Sequence, residues 1–264
     1  MALVIAHRGA RSLAPENTML AARKALELGA DLWETDISVS ADGQLVLIHD
    51  DSLVRTTNVK KLYPDRDPWT VTTFTLSELR NLDAGSWFAD TDPFGQIKSG
   101  KLSRVDQAAC RGEKIPTLRE ALAFTQSAGW RVNLELKRLP PPMETFPVVE
   151  RVLGLIDELR IDAERLVISS FNHHWLRAVQ TLRPDIRVEA LIGFSETDPL
   201  DWGALEFPVY NARSTLITGN EIRRLLRKGI RVNVFTVNDR AKISQFIAAG
   251  AAGIITDFPQ WMTR

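Results

Sequence analysis

The segment at residues 32–49 reads LWETDISVSADGQLVLIH, and its pattern decides the fold prediction. Two β-type stretches, 32–38 and 44–49, flank the pair Asp42-Gly43, which is a strong hairpin-turn signal. The connection between them is far too short for a parallel crossover. We therefore predict that the second stretch folds back antiparallel, as a small hairpin arm on the first.

Outside this hairpin, short apolar strands alternate with helical stretches. The strands are predicted at 3–6, 32–38, 131–137, 166–170, 187–192, 208–212, 231–236 and 253–256, with the arm at 44–49. The helices are predicted at 17–28, 117–127, 145–160, 173–183, 219–228 and 239–249. Asn17 is the expected N-cap of the first helix, and Gly29, Gly229 and Gly250 are expected to end three helices.

Eight parallel strands remain once the arm is set aside, and a TIM (β/α)8 barrel needs that number. A doubly wound parallel sheet is the alternative architecture. We expect a single domain over residues 1–264, interrupted by an inserted loop region at about 84–114, where periodicity is weak. This insertion could be a binding loop or a solvent-exposed excursion without a role.

The composition excludes several classes of function. Lys and Arg together balance Asp and Glu at 33 each, so no overall positive charge favours nucleic-acid binding. Cys110 is the only cysteine, which rules out an intrachain disulfide and a cysteine-based zinc site. The first six residues are too short for a signal peptide, and no apolar run is long enough to span a membrane. We expect a cytoplasmic protein and leave a homo-oligomer open.

Carboxylates occur where strand alternation points inward. In the second strand, Glu34 and Asp36 share the face that a barrel turns toward its interior. The next parallel strand delivers Glu135 and Lys137 to the same side. Three hard oxygen ligands suit one divalent cation, either Mg²⁺ or Ca²⁺. The alternative is a structural network in which the acids only pair with Lys137 and Arg8.

Two histidines are expected to flank this acidic cluster. If Asp42 and Gly43 form a two-residue turn, His49 lies opposite Asp36 and shares its face. His7 follows the first strand at its carboxyl end, where active sites of TIM barrels lie. Two imidazoles beside a metal site are suited to act as an acid/base pair near neutral pH.

The ordered motifs resemble those of the glycerophosphodiester phosphodiesterase family. They are HRGA at 7–10, PENT at 15–18, ETD at 34–36, DG at 42–43, HD at 49–50, RTT at 55–57, IPTL at 115–118, ELK at 135–137, SSF at 169–171, TVN at 236–238 and GIITDFP at 253–259. Each motif is weak alone, but the ordered set spans nearly the whole chain.

The resemblance implies a TIM-barrel phosphodiesterase with one divalent cation held by Glu34, Asp36 and Glu135. It also implies that His7 and His49 are the catalytic acid and base. The substrate or phosphate would be bound by a further set: Arg8, Lys137, Asn17, Phe171, Phe235 and Asn238. The chain departs from the family pattern at Phe235, where a tryptophan usually precedes the TVN motif, so the head-group preference is left open.

The expected reaction is hydrolysis of a small-molecule glycerophosphodiester to an alcohol and sn-glycerol 3-phosphate, through a cyclic phosphate. A lysophospholipase D or sphingomyelinase D-like lipid hydrolase is one alternative, with Trp87, Phe88 and Phe94 as an apolar rim. A metal-dependent barrel aldolase or lyase and an inactive binding module are the others. His173 and His174 are expected in the solvated first turn of a helix.

Overall fold

The computed structural model describes residues 2–262 and has the predicted TIM barrel. Nine strands, β1 to β9 in chain order, are Leu3–Ala6, Leu32–Val39, Leu45–Leu47, Val132–Leu136, Leu166–Ser170, Arg187–Ile192, Val209–Arg213, Arg231–Phe235 and Gly253–Thr256. Eight of them run parallel in the ring order β1-β9-β8-β7-β6-β5-β4-β2, and β1 pairs with β2 to close it. Strand β3 lies outside the ring, antiparallel to β2. The closed ring excludes the doubly wound sheet.

In the part of the chain that the structure describes, ten α-helices surround or extend the barrel. In chain order, α1 to α10 are Met19–Glu27, Val59–Leu62, Leu76–Asn81, Ser86–Thr91, Arg104–Cys110, Leu118–Ser127, Val148–Glu158, His173–Leu182, Gly219–Leu226 and Arg240–Ala248. The six predicted helices are all present, with ends within a few residues of the expected ones. Within residues 2–262, no helix has both the length and the apolar character needed to cross a bilayer.

Four short helices, α2 to α5, were not predicted from the sequence. They lie between β3 and α6, and two of them occupy the segment 84–114 that we expected to be irregular. Helices of four to seven residues are too short to give a periodic apolar pattern, which is why the sequence does not reveal them. A Cβ on Gly85 would lie 1.8 Å from the carbonyl oxygen of Cys110, so α4 begins in close contact with the end of α5.

The hairpin turn differs from the predicted two-residue turn. The backbone N–H of Ser40 donates to the carbonyl of Gln44 at 2.9 Å, and the N–H of Gly43 donates back to Ser40 at 3.0 Å. Three residues, 41–43, therefore form the loop. Gly43 adopts φ +75°, the left-handed conformation that a three-residue hairpin loop needs at its last position.

This longer turn shifts the cross-strand register by one residue. Ile37 pairs with Leu47, so Asp36 lies opposite Ile48, and its carbonyl accepts the N–H of Ile48 at 3.1 Å. The predicted pairing of Asp36 with His49 was wrong. His49 instead follows the end of the arm and lines the cleft described below from there.

The N-cap of α1 is Thr18, not Asn17. The hydroxyl of Thr18 accepts the backbone N–H of Ala21 at 3.2 Å. Asn17 has φ 55°, and its side chain is directed away from the helix toward β2. The predicted helix end is correct, because Gly29 follows α1 with φ +78°.

Apolar side chains pack on both faces of the barrel wall. Outside the strands, Trp33 packs under the helices with its ring parallel to Trp130, and its indole N–H donates to Thr125. The lumen is filled below the site by a small group of apolar side chains: Ile5, Leu32, Val167 and Ile255. This plug supports the polar groups at the carboxyl ends of the strands, where TIM-barrel sites are built.

Candidate active site

An open cleft lies at the carboxyl ends of the strands. Its lining brings together most of the residues predicted for the site: His7, Arg8, Glu34, His49, Glu135, Lys137, Phe171 and Phe235. Asp36 and Asn17 are buried beside it, and Asn238 lies behind His7.

The acidic cluster forms as strand alternation predicted. Asp36 on β2 is the direct neighbour of Glu135 on β4, and Glu34 precedes Asp36 on the same face. One oxygen from each carboxylate lies within 4.8 Å of the other two. Glu34 and Asp36 are only 4% and 1% exposed. Two of the three carboxylates are therefore largely withdrawn from water, and Glu135 is half-buried at the cleft.

Burial and mutual repulsion perturb the acids in the cluster. Burial, followed by the charge of Asp36, raises the pKa of Glu135 to about 7. The same causes raise the pKa of Glu34 well above its ordinary value. Burial acts in that direction on Asp36 as well, but Arg8 and Lys137 reverse it and lower the pKa of this carboxyl. Only one of the three acids is thus fully compensated by protein cations.

The cluster fits a divalent cation. One carboxylate oxygen of Glu34, Oε1, is buried and has no hydrogen-bond partner among residues 2–262. An unpartnered buried anion is costly unless something else neutralises it. The donors are all hard oxygens at mutual distances that a single ion can bridge, so these three residues could hold a metal ion.

His7 belongs to a buried hydrogen-bonded group. Its Nδ1 lies 2.6 Å from Oδ1 of Asp257, and the other carboxylate oxygen accepts Nδ2 of Asn238 at 2.6 Å. Burial, then the charge of Arg8, lowers the pKa of His7 below 6.5, although Asp257 acts in the opposite direction. Asn238, predicted to bind substrate, thus contacts Asp257.

His49 has a similar but more exposed partner. Its Nδ1 lies 2.7 Å from Oδ1 of Asp50, and Arg55 donates through Nε to the second oxygen of Asp50 at 2.6 Å. The side chain of His49 is 36% exposed, against 14% for His7. Each histidine thus has Nδ1 occupied by a carboxylate, which leaves Nε2 as the atom available for proton transfer.

Glu16 connects the two histidine groups. Its buried carboxylate accepts Arg8 at 2.8 Å, Arg11 at 2.9 Å and Arg55 at 2.6 Å. Arg11 also lies 3.4 Å from Asp257, and Arg55 also binds Asp50. One continuous chain of contacts therefore links the histidines: His7, Asp257, Arg11, Glu16, Arg55, Asp50 and His49.

The predicted phosphate-side residues contact the acidic cluster. Arg8 lies with Nε 3.2 Å from Asp36, and its backbone N–H donates to Glu34 at 2.9 Å. Lys137 lies with Nζ 3.7 Å from Asp36 and also donates to the carbonyl of His49. Asn17 donates to Asp36 at 2.8 Å, so it orients this carboxylate.

Aromatic side chains form the far side of the cleft. Phe171 contacts Phe235 edge-to-face, with ring centroids 6.1 Å apart, and it contacts Phe194 in the same way at 5.1 Å. His173 begins α8 as predicted, but it is half-buried, lines the cleft and contacts the carbonyl of Leu191 through Nε2, so the expected solvated position was wrong for it. His174 lies beside Arg177 in the exposed first turn of α8, as predicted.

The sequence analysis gave no role to three of the residues that organise this site. Asp257 follows β9 on the lumen side, in alternation with Ile255, so the argument that found Glu34 could have found it. Asp50 and Glu16 were noted only within motifs. Both lie in irregular segments, where sequence periodicity does not predict the direction of a side chain.

Comparisons with known proteins agree with this geometry. The sequence profile of the "Glycerophosphoryl diester phosphodiesterase family" matches residues 7–261. The chain is 34% identical over 263 residues to a glycerophosphodiester phosphodiesterase of Caldanaerobacter subterraneus subsp. tengcongensis, covering 98% of this chain and 95% of that protein. It is 31% identical to human glycerophosphoinositol inositolphosphodiesterase, covering 96% of this chain but 46% of that longer protein.

Solved structures of phosphodiesterases are also similar to this chain. An Oleispira antarctica phosphodiesterase in complex with the product sn-glycerol-3-phosphate has a TM-score of 0.77 and 27% identity, with 98% and 94% of the two chains covered. A glycerophosphodiester phosphodiesterase from Agrobacterium tumefaciens has a TM-score of 0.72 and 26% identity, with 99% and 98% covered. The chain therefore belongs to the glycerophosphoryl diester phosphodiesterase family and is an enzyme of that type.

Proposed function

We propose that this enzyme hydrolyses small glycerophosphodiesters to an alcohol and sn-glycerol 3-phosphate, with His7 and His49 as its acid/base pair. The observation that carries the proposal is the meeting of three carboxylates, two carboxylate-bound histidines and two cations in one cleft. The related Oleispira antarctica structure holds sn-glycerol-3-phosphate as product, which supports the choice of substrate.

Glu34, Asp36 and Glu135 would hold one divalent cation, Mg²⁺ or Ca²⁺. The unpartnered oxygen of Glu34 and the raised pKa of Glu135 support this assignment, because both describe negative charge that the protein leaves uncompensated. When bound, such a cation would supply Lewis-acid polarisation and a template for substrate oxygens. Asn17 would keep Asp36 in position by its hydrogen bond to that carboxylate.

The two histidines would transfer the protons. One Nε2 takes the proton of the glycerol 2-hydroxyl, whose oxygen then attacks phosphorus to form a cyclic phosphate. The other protonates the oxygen of the departing alcohol as its bond to phosphorus breaks. Water then opens the cyclic phosphate with the two roles reversed, and the chain returns to its starting protonation state. Asp257 and Asp50 hold each ring by Nδ1 throughout.

Arg8 and Lys137 would bind the phosphate and offset the charge that develops on its oxygens. Phe171 and Phe235 would form an apolar wall against the bound substrate. Asn238 would act indirectly, because its amide is bonded to Asp257. These roles follow from which groups line the cleft and which are occupied behind it.

A lipid hydrolase on the same scaffold is less well supported. The rim proposed for it is largely packed away, since Phe88 is buried and Phe94 contacts Phe258 edge-to-face at 5.6 Å. Trp87 lies against Arg55, with the guanidinium carbon 5.8 Å from its ring. These contacts favour a small water-soluble diester over a lipid bound through this segment.

Turnover of glycerophosphocholine, measured as release of glycerol 3-phosphate and choline, tests the proposal. EDTA should abolish turnover, and added Mg²⁺ or Ca²⁺ should restore it. His7→Ala and His49→Ala should each remove most of the turnover while cation binding, measured by calorimetry, persists. His174→Ala, on an exposed ring beside Arg177, is the control and should stay active. Near-normal activity in either of the first two variants contradicts the acid/base pair.

A further inference from the structure

Arg213 stands on the far side of the cleft from the acidic cluster. It is the last residue of β7, on the lumen-facing side that it shares with Asn211, and it pairs in register with Phe235 on β8. In the ring order, β7 is four strands away from β2 in either direction. One half of a diester whose phosphate lies at the β2 side can therefore reach β7.

The guanidinium of Arg213 has no carboxylate partner. Among residues 2–262, no Asp or Glu oxygen lies within 4.0 Å of its nitrogen atoms. Its Nε donates to the carbonyl of Gly193 at 2.6 Å and its Nη2 to that of Phe194 at 2.5 Å, whereas Nη1 has no acceptor in the described chain. By contrast, Arg177 lines the same cleft but is paired with Glu206 through two bonds of 2.9 and 2.6 Å.

The two carbonyl bonds fix the direction of this cation. Gly193 has φ +75°, and a Cβ there would lie 3.0 Å from Cβ of Arg213, so the backbone passes close to the arginine. Carbonyl dipoles orient a guanidinium but do not neutralise it. A half-buried, oriented and uncompensated guanidinium is suited to bind an anion in a bidentate manner.

Aromatic rings enclose the same place. The guanidinium carbon lies 5.4 Å from the ring of Phe235, and Phe171 joins Phe235 to Phe194 through edge contacts. Phe194 is 70% exposed, so its ring is open to contact with a bound group beside the guanidinium. Apolar walls lower the local dielectric and so strengthen an ion pair formed beside them.

We propose that Arg213, Phe171, Phe194 and Phe235 form a subsite for a carboxylate on the alcohol half of the diester. This inference rests on the proposed function, because it assigns the second half of the same substrate. Asp198 and Asp201 also line the cleft and could attract a cationic head group instead. Each of them accepts one backbone N–H within its own loop, from Ser195 and Gly203 respectively, which orients the carboxylate without neutralising it, so a preference for the ethanolamine diester is the outcome that would favour them over Arg213.

Glycerophosphoserine and glycerophosphoethanolamine make a matched test, because they differ by a single carboxylate. The wild type should favour the serine diester by about ten-fold in kcat/KM, the scale of one charge-assisted hydrogen-bonded pair. Arg213→Met should bring this ratio to about one. Arg213→Lys, which keeps the charge without the fork, should give an intermediate ratio. Arg177→Met is the control and should retain the wild-type ratio, because Glu206 already neutralises Arg177.

Each outcome decides the question. Equal rates on the two diesters, a preference for the ethanolamine diester, or an unchanged ratio in Arg213→Met overturns the subsite and leaves the proposed function standing. Hydrolysis of neither diester by the wild type overturns the proposed function and the subsite with it. If Arg213→Met does not fold, the Lys variant and the loss of the wild-type preference with rising salt decide in its place.

Discussion

Nδ1 of His7 lies 2.6 Å from a carboxylate oxygen of Asp257, 250 residues away in the sequence. Strands β1 and β9 are neighbours in the ring, so the two ends of the chain meet here to build one half of the site. Because Asn238 holds the second oxygen of Asp257, the carboxylate is fixed before it orients the imidazole. The proton transfer proposed for His7 thus depends on a residue that directly follows β9.

Asp257→Asn should impair catalysis while leaving the fold in place. An amide at this position can present a donor to Nδ1 and so favour the wrong tautomer of His7, whose Nε2 would then carry a proton at the wrong step. We expect kcat to fall by about 10²-fold or more, with a much smaller change in KM. Steady-state kinetics on glycerophosphocholine measures both. Asp185→Asn, on an exposed carboxylate bonded to Arg183, is the control, and a normal kcat in Asp257→Asn would falsify the orienting role.

Glu16→Gln should destabilise the protein in a pH-dependent way. Burial alone raises the pKa of Glu16, but its three guanidinium partners more than offset this and hold it at about 2, below its ordinary 4.5. A lowered carboxyl pKa contributes stability that is fully present above pH 4.5 and is lost as the pH falls toward 2. The shift corresponds to about 3 kcal/mol at neutral pH.

Urea unfolding of Glu16→Gln and wild type at several pH values measures this contribution. The difference in free energy of unfolding should be largest at pH 7 and should shrink between pH 4.5 and 2. Glu158→Gln, on an exposed carboxylate paired with Arg119, is the matched control and should show no such trend. A difference that stays constant with pH would mean that packing, not charge, makes Glu16 important.

The strand pattern was predictable because it is repeated and long. Alternation in β2 and β4 placed Glu34, Asp36 and Glu135 in one cluster, and the structure has them there. The hairpin register was not predictable, because a three-residue loop ending in Gly43 and a two-residue Asp-Gly turn have the same sequence signal. An error of one residue in the register changes the cross-strand partner of every residue in β3. His49 still lies at the cleft, because it follows the paired part of the strand.

The partners of the histidines were harder to find from sequence. Asp50 and Glu16 lie in segments without regular structure, and their roles appear only when Arg55 brings them together in space. For Asn17 the local sequence signal was misleading, because a residue type that favours helix N-caps serves another purpose here. Its side chain binds Asp36, and Thr18 caps the helix instead. At this position the hydrogen bond to Asp36 outweighs the preference of asparagine for a helix N-cap.

Glu135→Gln should stabilise the metal-free protein and weaken its response to cations. The pKa of Glu135 is raised from 4.5 to about 7, so ionising it costs the folded state about 3 kcal/mol once the pH exceeds 7. An amide of the same shape avoids that cost. In EDTA at pH 8, the variant should therefore melt at a higher temperature than wild type, and the gap should close below pH 4.5.

With Mg²⁺ or Ca²⁺ added, the wild type should melt at a higher temperature than Glu135→Gln. Binding of a cation to the folded state raises the melting temperature, and more so the tighter the binding, whereas the variant lacks one of the three carboxylates proposed as ligands. Melting curves with and without each cation measure both effects in one series. An equal cation-induced shift in Glu135→Gln and wild type would show that Glu135 is not a ligand.

Gly9→Ala should be severely destabilising, because two separate constraints act on this residue. Gly9 has φ +83°, where an alanine is strained, and its added Cβ would lie 2.6 Å from the backbone carbon of Ala21. Together these effects should cost about 3 kcal/mol of unfolding free energy, read from urea midpoints. Gly154→Ala is the control, because Gly154 lies in α7 with open space around it and should gain about 0.8 kcal/mol from helix propensity. Activity should also fall in Gly9→Ala, since the preceding residue, Arg8, donates its backbone N–H to Glu34, and displacing this turn moves a group of the acidic cluster.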